Sequence, residues 1–310
     1  MINVFLAALV LFAAAPKVSA RKAPRRPQRA VSAKQVKKGP AETAHRRIPY
    51  VGAVSADAET GRVLFSDRAD AEAYPASVTK LMTALLVLED VKAGRYALTD
   101  MVEATAEVYR CEPSWVGIKV GQSMTVDALM MSLMVKSAND AAIALGVKSA
   151  GSLEAFVARM NERARELGMS KTEYYNPNGL PAPKYGKKFN RSTAADQLKL
   201  ALEIIKHPEI FKYTSSKTAT VIDGSGKPLT MLNSNRILRM DKYHIVNPDG
   251  TEAVDGLKTG FINAGGSSIV LTGKRKGKRA IVIVLGSASS NLREEHASRI
   301  LKDALDALVW

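Results

Sequence analysis

The order of secondary-structure signals along the chain predicts an α+β fold: an antiparallel sheet built from N- and C-terminal strands and flanked by helices, with a mostly helical lobe inserted. Three observations carry this expectation. IPYVGAVSAD and ETGRVLFSD, between Ile48 and Asp67, read as a hairpin, two β-rich runs around an Asp/Glu/Gly turn. The middle of the chain is helix-periodic. From Thr214 onward the runs TSSKTATVID, GGSSIVLTGK and KRAIVIVLGS are strand-like, and Asn291 to Val309 closes the chain as an amphipathic helix with Ile300, Leu301, Leu305 and Leu308 on one side. Links of hairpin length favour antiparallel pairing, and a sheet that takes strands from both ends brings those ends together.

Each helical element has its own pattern. From Ser77 to Val91, Leu81, Met82, Leu85, Leu86 and Leu88 recur at helical spacing, which predicts a nearly fully buried helix. Residues 125 to 168 read as helical with breaks near Ala138-Asn139 and Ala150-Gly151-Ser152, and Thr193 to Lys206 forms another helix. Gly224-Ser225-Gly226-Lys227 precedes Pro228 and reads as a turn, and KRKGKR (274 to 279) as a solvated hairpin tip.

The 310 residues suffice for one large domain with a sizeable core. The net charge of +15 is unevenly placed: residues 21 to 47 hold ten Lys/Arg against one acid, Glu42, so the chain from residue 48 keeps only +5. That distribution argues against a nucleic-acid partner for the folded part. Residues 2 to 15 form an uncharged apolar run, and Val18-Ser19-Ala20 offers small residues at a cleavage site. Residues 1 to 20 are therefore expected to be a signal peptide, making the protein exported, periplasmic or extracytoplasmic. No Lys or Arg precedes the run, so retention as an uncleaved membrane anchor stays open. Residues 21 to 47, basic and proline-containing, read as a disordered linker. It could rest on an anionic membrane or wall polymer, or be a solvated tether with no partner. The catalytic domain is expected to be 48 to 310. The single cysteine, Cys111, allows no intrachain disulfide and reads as inert, and His45, His207, His244 and His296 lack metal spacing. No metal and no cofactor are expected.

The chemistry is concentrated in three short motifs. Ser77 and Lys80, in ASVTKLMTALLVLE, stand at i and i+3 and share a face of the expected helix. A partly buried lysine in an electropositive setting, shared with Lys258, can act as base for a neighbouring serine, whose own first-turn N–H is an available oxyanion donor. By itself this pair also reads as a capping serine and a snorkelling lysine. Ser137-Ala138-Asn139 falls at a helix break and alone reads as a helix cap. Lys258-Thr259-Gly260 suits a strand that addresses a carboxylate and lets a backbone approach closely, and alone reads as a solvated strand end.

Together, in the order S-x-x-K, S-x-N, K-T-G, they form the set found in penicillin-binding proteins and β-lactamases. The chain resembles the low-molecular-mass penicillin-binding proteins, the serine-type D-alanyl-D-alanine carboxypeptidase and endopeptidase family, over about residues 48 to 310. Beyond the three motifs, NPNGLP (176 to 181), NRSTAADQLKLA (190 to 201) and VDGLKTG (254 to 260) carry the resemblance. It implies the transpeptidase fold, peptidoglycan stem peptides as substrates and β-lactam antibiotics as covalent inhibitors. It further implies that Ser77 attacks the carbonyl between two D-alanines, Lys80 is base, and Ser137 relays a proton to the leaving amine. Asn139 would hold the substrate chain, Lys258, Thr259 and Gly260 would address its carboxylate end, and the N–H groups of Ser77 and Phe261 would form the oxyanion hole. The resemblance leads to a D-Ala-D-Ala carboxypeptidase, with a DD-endopeptidase cleaving cross-links as the alternative. VDGLKTG is similar to carboxypeptidases and FINAGG (261 to 266) to endopeptidases, and the loop GSASSN (286 to 291) has no arginine before Arg293 to grip a terminal carboxylate. A β-lactamase is disfavoured because Glu173 lies in a peptidase-like stretch. A catalytically silent wall-binding scaffold is disfavoured because every catalytic position is filled.

Overall fold

The computed structural model describes residues 49–108, 113–181 and 188–309. The leader and linker readings and the Cys111 assignment lie outside the described residues. A five-stranded antiparallel sheet organises the rest, in the order β2-β1-β9-β8-β7. Strands β1 (Gly52–Asp57) and β2 (Val63–Asp67) come from the first hairpin. Strands β7 (Val254–Ile262), β8 (Gly266–Arg275) and β9 (Lys278–Ser287) come from the C-terminal third. The pairing of β1 with β9, Gly52 opposite Leu285 through Asp57 opposite Ala280, closes the two chain ends into one sheet as expected.

The sheet is covered on both faces, which explains why its central strands are apolar without interruption. Along β9 the side chains alternate. Ile281, Ile283 and Leu285 enter the core shared with the helical lobe. Ala280, Val282 and Val284 enter a second core under the C-terminal helix. That helix, Ser290–Val309, buries Ile300, Leu301 and Leu305, as its periodicity predicts.

Between β2 and β7 lie the helices and two small hairpins. A 3-10 turn, Ala76–Thr79, leads into α1 (Lys80–Lys92). Hairpin β3 (Met101–Glu103) and β4 (Ser123–Thr125) follows, with no counterpart in the sequence expectations because three-residue strands carry too little pattern. Then come α2 (Val126–Met131), a π turn (Ser132–Lys136), α3 (Asn139–Ala150), α4 (Leu153–Glu166) and α5 (Ala194–Ile204). The second hairpin pairs β5 (Thr218–Ile222) with β6 (Pro228–Leu232), and residues 224 to 227 are its turn, as expected. Completing the order are α6 (Ile210–Thr214), α7 (Arg236–Arg239) and the terminal helix, α8.

Helix α1 is buried on nearly every side, which a continuous apolar sequence requires of a helix at the centre of a domain. Its far end is anchored by Asp90, a fully buried carboxylate. Burial pushes Asp90 up, but hydrogen bonds from Arg159, Ser149 and Arg95 outweigh this and hold it below the usual carboxylate range. The tip at 274 to 279 is only partly solvated: Arg275 pairs with Asp306, and Arg279 pairs with Asp255 at 2.7 Å and lies over the Phe211 ring.

Candidate active site

Ser77 is not on α1. It sits in the 3-10 turn, and α1 begins at Lys80. This corrects the expected single helix from Ser77, and it sharpens the pairing. Three residues per turn eclipse positions i and i+3 more closely than an α-helix does, and Lys80 Nζ lies 2.8 Å from Ser77 Oγ. The turn is reached through Ala76 at φ +51°, a backbone region rarely used by residues with a Cβ. Two glycines make room for it. A Cβ on Gly179, itself at φ +89°, would stand 1.9 Å from the Ala76 carbonyl oxygen, and one on Gly260 would stand 2.7 Å from that of Pro75. Only glycine at these positions lets the N-P-N-G loop and the K-T-G strand close on the serine from two sides.

Lys80 is fully buried, more deeply than the partial burial expected. Besides Ser77 Oγ its ammonium reaches Asn139 Oδ1 at 2.7 Å and the carbonyl of Asn178 at 2.8 Å. The three acceptors belong to three motifs, the farthest of them 98 positions from Lys80 in the chain.

The Ser137-Ala138-Asn139 break caps nothing. Ser137 ends the π turn in a left-handed conformation, φ +65°, and Ala138, the N-cap of α3, makes no side-chain cap bond. Ser137 lines the cleft and Asn139 turns inward to Lys80. Behind them Asp140, fully buried, accepts hydrogen bonds from the N–H groups of Val116, Gly117 and Ile118 at 2.8–3.2 Å. The Asn139 N–H donates to the Ser114 carbonyl at 2.7 Å, so loop and motif hold each other.

On the opposite wall, β7 is an edge strand of the sheet and runs beside the 3-10 turn. Thr259, Gly260 and Phe261 line the cleft. Lys258 does not: it is 1% exposed, so it is neither a solvated strand end nor part of the cleft surface. Its ammonium donates to the Thr259 carbonyl at 3.0 Å. Burial, and then the nearby Arg293 guanidinium, push its pKa down to about 7. Arg293 is therefore an electropositive neighbour of Lys258.

The cleft encloses about 240 Å³. Of the expected residues it is lined by Ser77, Ser137, Asn139, Thr259, Gly260 and Phe261, while Lys80 and Lys258 stand buried behind its walls. Sequence reasoning missed Arg293, Ser234 and Lys136, which also line it. Ser234 accepts a hydrogen bond from Thr259 Oγ1 at 3.0 Å. Arg293, in the first turn of α8, donates to the carbonyl oxygens of Gly260 at 3.3 Å and Ser268 at 3.5 Å and pairs with the buried Glu294. A signal for it existed. A cation in the first turn of a helix opposes the helix dipole, so its presence there asks for a partner elsewhere. From the sequence, the carboxylate is expected at Lys258, Thr259 and Gly260, with an added arginine in the preceding loop rather than in the helix itself. Glu173 is exposed and bridges to Arg191, outside the cleft.

The arrangement can do acyl transfer. A hydroxyl stands within hydrogen-bond distance of a buried amine, in a cleft that also carries a guanidinium and, among the described residues, no carboxylate. Comparison with known proteins agrees. The family model for D-alanyl-D-alanine carboxypeptidase matches residues 41–289. The D-alanyl-D-alanine carboxypeptidase DacF of Bacillus subtilis is 30% identical over 269 residues, 87% of this chain and 64% of that protein. Its counterpart DacC of Escherichia coli is 31% identical over 252 residues, 79% of this chain and 58% of that one. The chain thus spans about three fifths of the length of these curated relatives. Among solved structures, a penicillin-binding protein of Listeria monocytogenes in its ampicillin-bound form superposes with a TM-score of 0.69 at 29% identity, covering 84% of this chain and 98% of that one. Motifs, fold and site geometry converge on one conclusion: the chain belongs to the D-alanyl-D-alanine carboxypeptidase family, the low-molecular-mass penicillin-binding proteins.

Proposed function

We propose that the protein is a serine DD-peptidase that removes the terminal D-alanine from peptidoglycan stem peptides through an acyl-Ser77 intermediate, and that β-lactams acylate the same serine. The observation that carries this reading is the 2.8 Å contact between Lys80 Nζ and Ser77 Oγ in a cleft that also holds Arg293.

The steps follow from the geometry. Lys80, as the neutral amine, takes the hydroxyl proton as Ser77 Oγ bonds to the carbonyl carbon of the penultimate D-alanine. The oxyanion that develops is met by the N–H groups of Ser77 and Phe261, and one such donor is typically worth ~100- to 1000-fold in rate. Collapse breaks the C–N bond, and the leaving amine takes a proton relayed through Ser137. Water then hydrolyses the ester and returns Oγ its proton. Asn139 holds Lys80 in line and borders the substrate chain. Arg293 and Thr259 receive the terminal carboxylate, with Lys258 behind Thr259 adding positive potential and Gly260 giving the close approach.

Arg293 favours the carboxypeptidase over the endopeptidase reading, because a free terminal carboxylate is what distinguishes the two substrates and a guanidinium fits it in a paired geometry. The full chain is incubated with a monomeric pentapeptide muropeptide and with cross-linked dimers, and products are read by mass. Loss of one alanine from the monomer, absent in Ser77→Ala, is the expected result. Cleavage of dimers with monomers untouched would transfer the assignment to the endopeptidase. A protein that forms no penicillin adduct and cleaves neither would be the silent scaffold.

The same proposal places the domain at 48 to 310 behind a signal peptide and basic linker, with the enzyme outside the cytoplasm where its substrate is. Mass analysis of the mature N-terminus tests it: a chain beginning at Arg21 is expected, and an intact Met1 would favour the anchor.

A further inference from the structure

The cleft carries one cation more than the reaction at Ser77 uses. Among the described residues that line it, two are cationic, Arg293 from the sheet side and Lys136 from the helical lobe, and none is acidic. Arg293 has Glu294 as an ion partner on the protein and, in the reading above, the terminal carboxylate of the substrate. Lys136 has neither. Among the described residues its ammonium meets no hydrogen-bond acceptor and no acid, although it is half-buried. Several other half-buried cations meet an acid on the protein: Arg159 meets Asp90 at 2.6 Å, Arg163 meets Glu203 at 2.7 Å and Arg279 meets Asp255 at 2.7 Å.

Nor is Lys136 on a loose surface segment. It ends the π turn directly before Ser137, and the backbone there is pinned from both lobes. Ser114 Oγ donates to the Lys136 carbonyl at 2.7 Å from one side. The Ser234 N–H donates to the neighbouring Val135 carbonyl at 2.8 Å from the other. A cation held by a rigid backbone beside a cleft whose described lining carries no acid is preorganised for an anion that arrives with the ligand.

We propose that Lys136 forms a second anion subsite of this cleft, and that the preferred donor peptide carries a free carboxylate in addition to its C-terminal one. The inference rests on the DD-peptidase reading and specifies its substrate. A lysine recognises carboxylate as a point charge, without the bidentate geometry Arg293 offers the C-terminus, so it accommodates a carboxylate on a flexible side chain. A stem-type peptide has two places for one: the end of the side chain that precedes the D-alanine pair, or the α-carboxyl one residue further on, left free where that residue is joined through its side chain. The chemistry at Lys136 is the same for both. A peptide with an ammonium on the side chain before the D-alanine pair meets like charge there and is disfavoured.

The test compares kcat/KM of the full chain, by D-alanine release, on four pentapeptides. One has both internal carboxylates free, two have one or the other amidated, and one replaces the side-chain carboxylate by an ammonium. The free dicarboxylate is expected to exceed the matching amide by about tenfold or more, with the ammonium peptide lowest and the differences shrinking as salt is raised. In Lys136→Gln the ratio between carboxylate and amide should fall towards one, and Lys136→Arg should restore it. Whichever amidation abolishes the preference identifies the carboxylate, and either supports the subsite. Equal rates on all four peptides, or a preference that survives in Lys136→Gln, would overturn it. Acylation of Ser77 by benzylpenicillin, followed by mass, separates this from failure of the parent reading. An adduct with no charge preference sinks the subsite alone, whereas no adduct and no D-alanine release sink both.

Discussion

The two walls of the cleft each bury a lysine, and they treat it differently. Lys80, at the start of α1, is 0% exposed and has three neutral acceptors from three separate segments within 2.7–2.8 Å. Lys258, on β7, is 1% exposed, its recorded hydrogen bond goes to the carbonyl of its own neighbour, and a guanidinium stands nearby. The same residue type at the same burial therefore has two characters. The first is locked in place by its contacts, which suits a group that must meet one proton at one distance. The second is underfilled and positively crowded, which suits a group whose charge is completed by an anionic ligand.

The largest effect should come from the first wall. Ser77→Ala is expected to abolish the penicillin adduct and to lower kcat/KM by ~1000-fold or more. Lys80→Met should lower the acylation rate by at least ~1000-fold with Ser77 still present, measured by stopped-flow or quenched mass analysis. A Lys80→Met protein that acylates at the wild-type rate would remove the lysine from the mechanism. On the second wall, Arg293→Gln should act on binding. Loss of a charged partner for a carboxylate costs ~30-fold or more, chiefly in KM for peptides with a free C-terminus, and much less for the same peptides with the C-terminus amidated. Equal losses on both would show that Arg293 only supports the sheet.

The pH dependence of Lys258 is a smaller effect. Its pKa in the fold, about 7, lies below its ordinary 10.5, so between those values the unfolded chain binds the additional proton and stability rises with pH. The cost of charging a buried lysine is fully present below pH 7. Lys258→Met should therefore melt higher than the wild type at pH 6, by about 2 °C or more, and lose that advantage towards pH 10. Binding of carboxylate-terminated peptides by the wild type should weaken as pH rises through 7. A Tm difference that does not change with pH would contradict the depressed pKa. The smallest expected effect is indirect. Asp140→Asn leaves an amide where one carboxylate accepts the N–H groups of Val116, Gly117 and Ile118, and should slow acylation by about tenfold by loosening the loop that Asn139 grips. Lys80-dependent chemistry unchanged in Asp140→Asn would show that the loop does not hold the motif.

Much of the sheet was legible in the sequence, because β8 and β9 are continuous apolar runs of strand length bounded by turns, and α8 repeats with a period near 3.6. The three-residue strands of the β3–β4 hairpin are too short to carry a period. The site residues Ser77, Lys80, Ser137, Asn139, Thr259 and Gly260 were visible as motifs, yet their contacts were not. That Ser77 belongs to a 3-10 turn depends on Gly179 and Gly260 closing around Ala76 and Pro75 from 100 and more positions away. Arg293 was visible as a letter, but only the docking of α8 on the sheet brings it to the Gly260 carbonyl.

The sequence by itself determined the α+β order, the apolar faces and the identity of the chemical groups, since these depend on side-chain type and local spacing. Only the tertiary structure decided that Asn139 and Asn178 also hold Lys80, that Lys258 stands buried behind the cleft wall, and that Arg293 and Lys136 share one cleft. Those outcomes depend on distances between residues far apart in the chain, and such distances are set by how the helical lobe packs on the edge of the sheet.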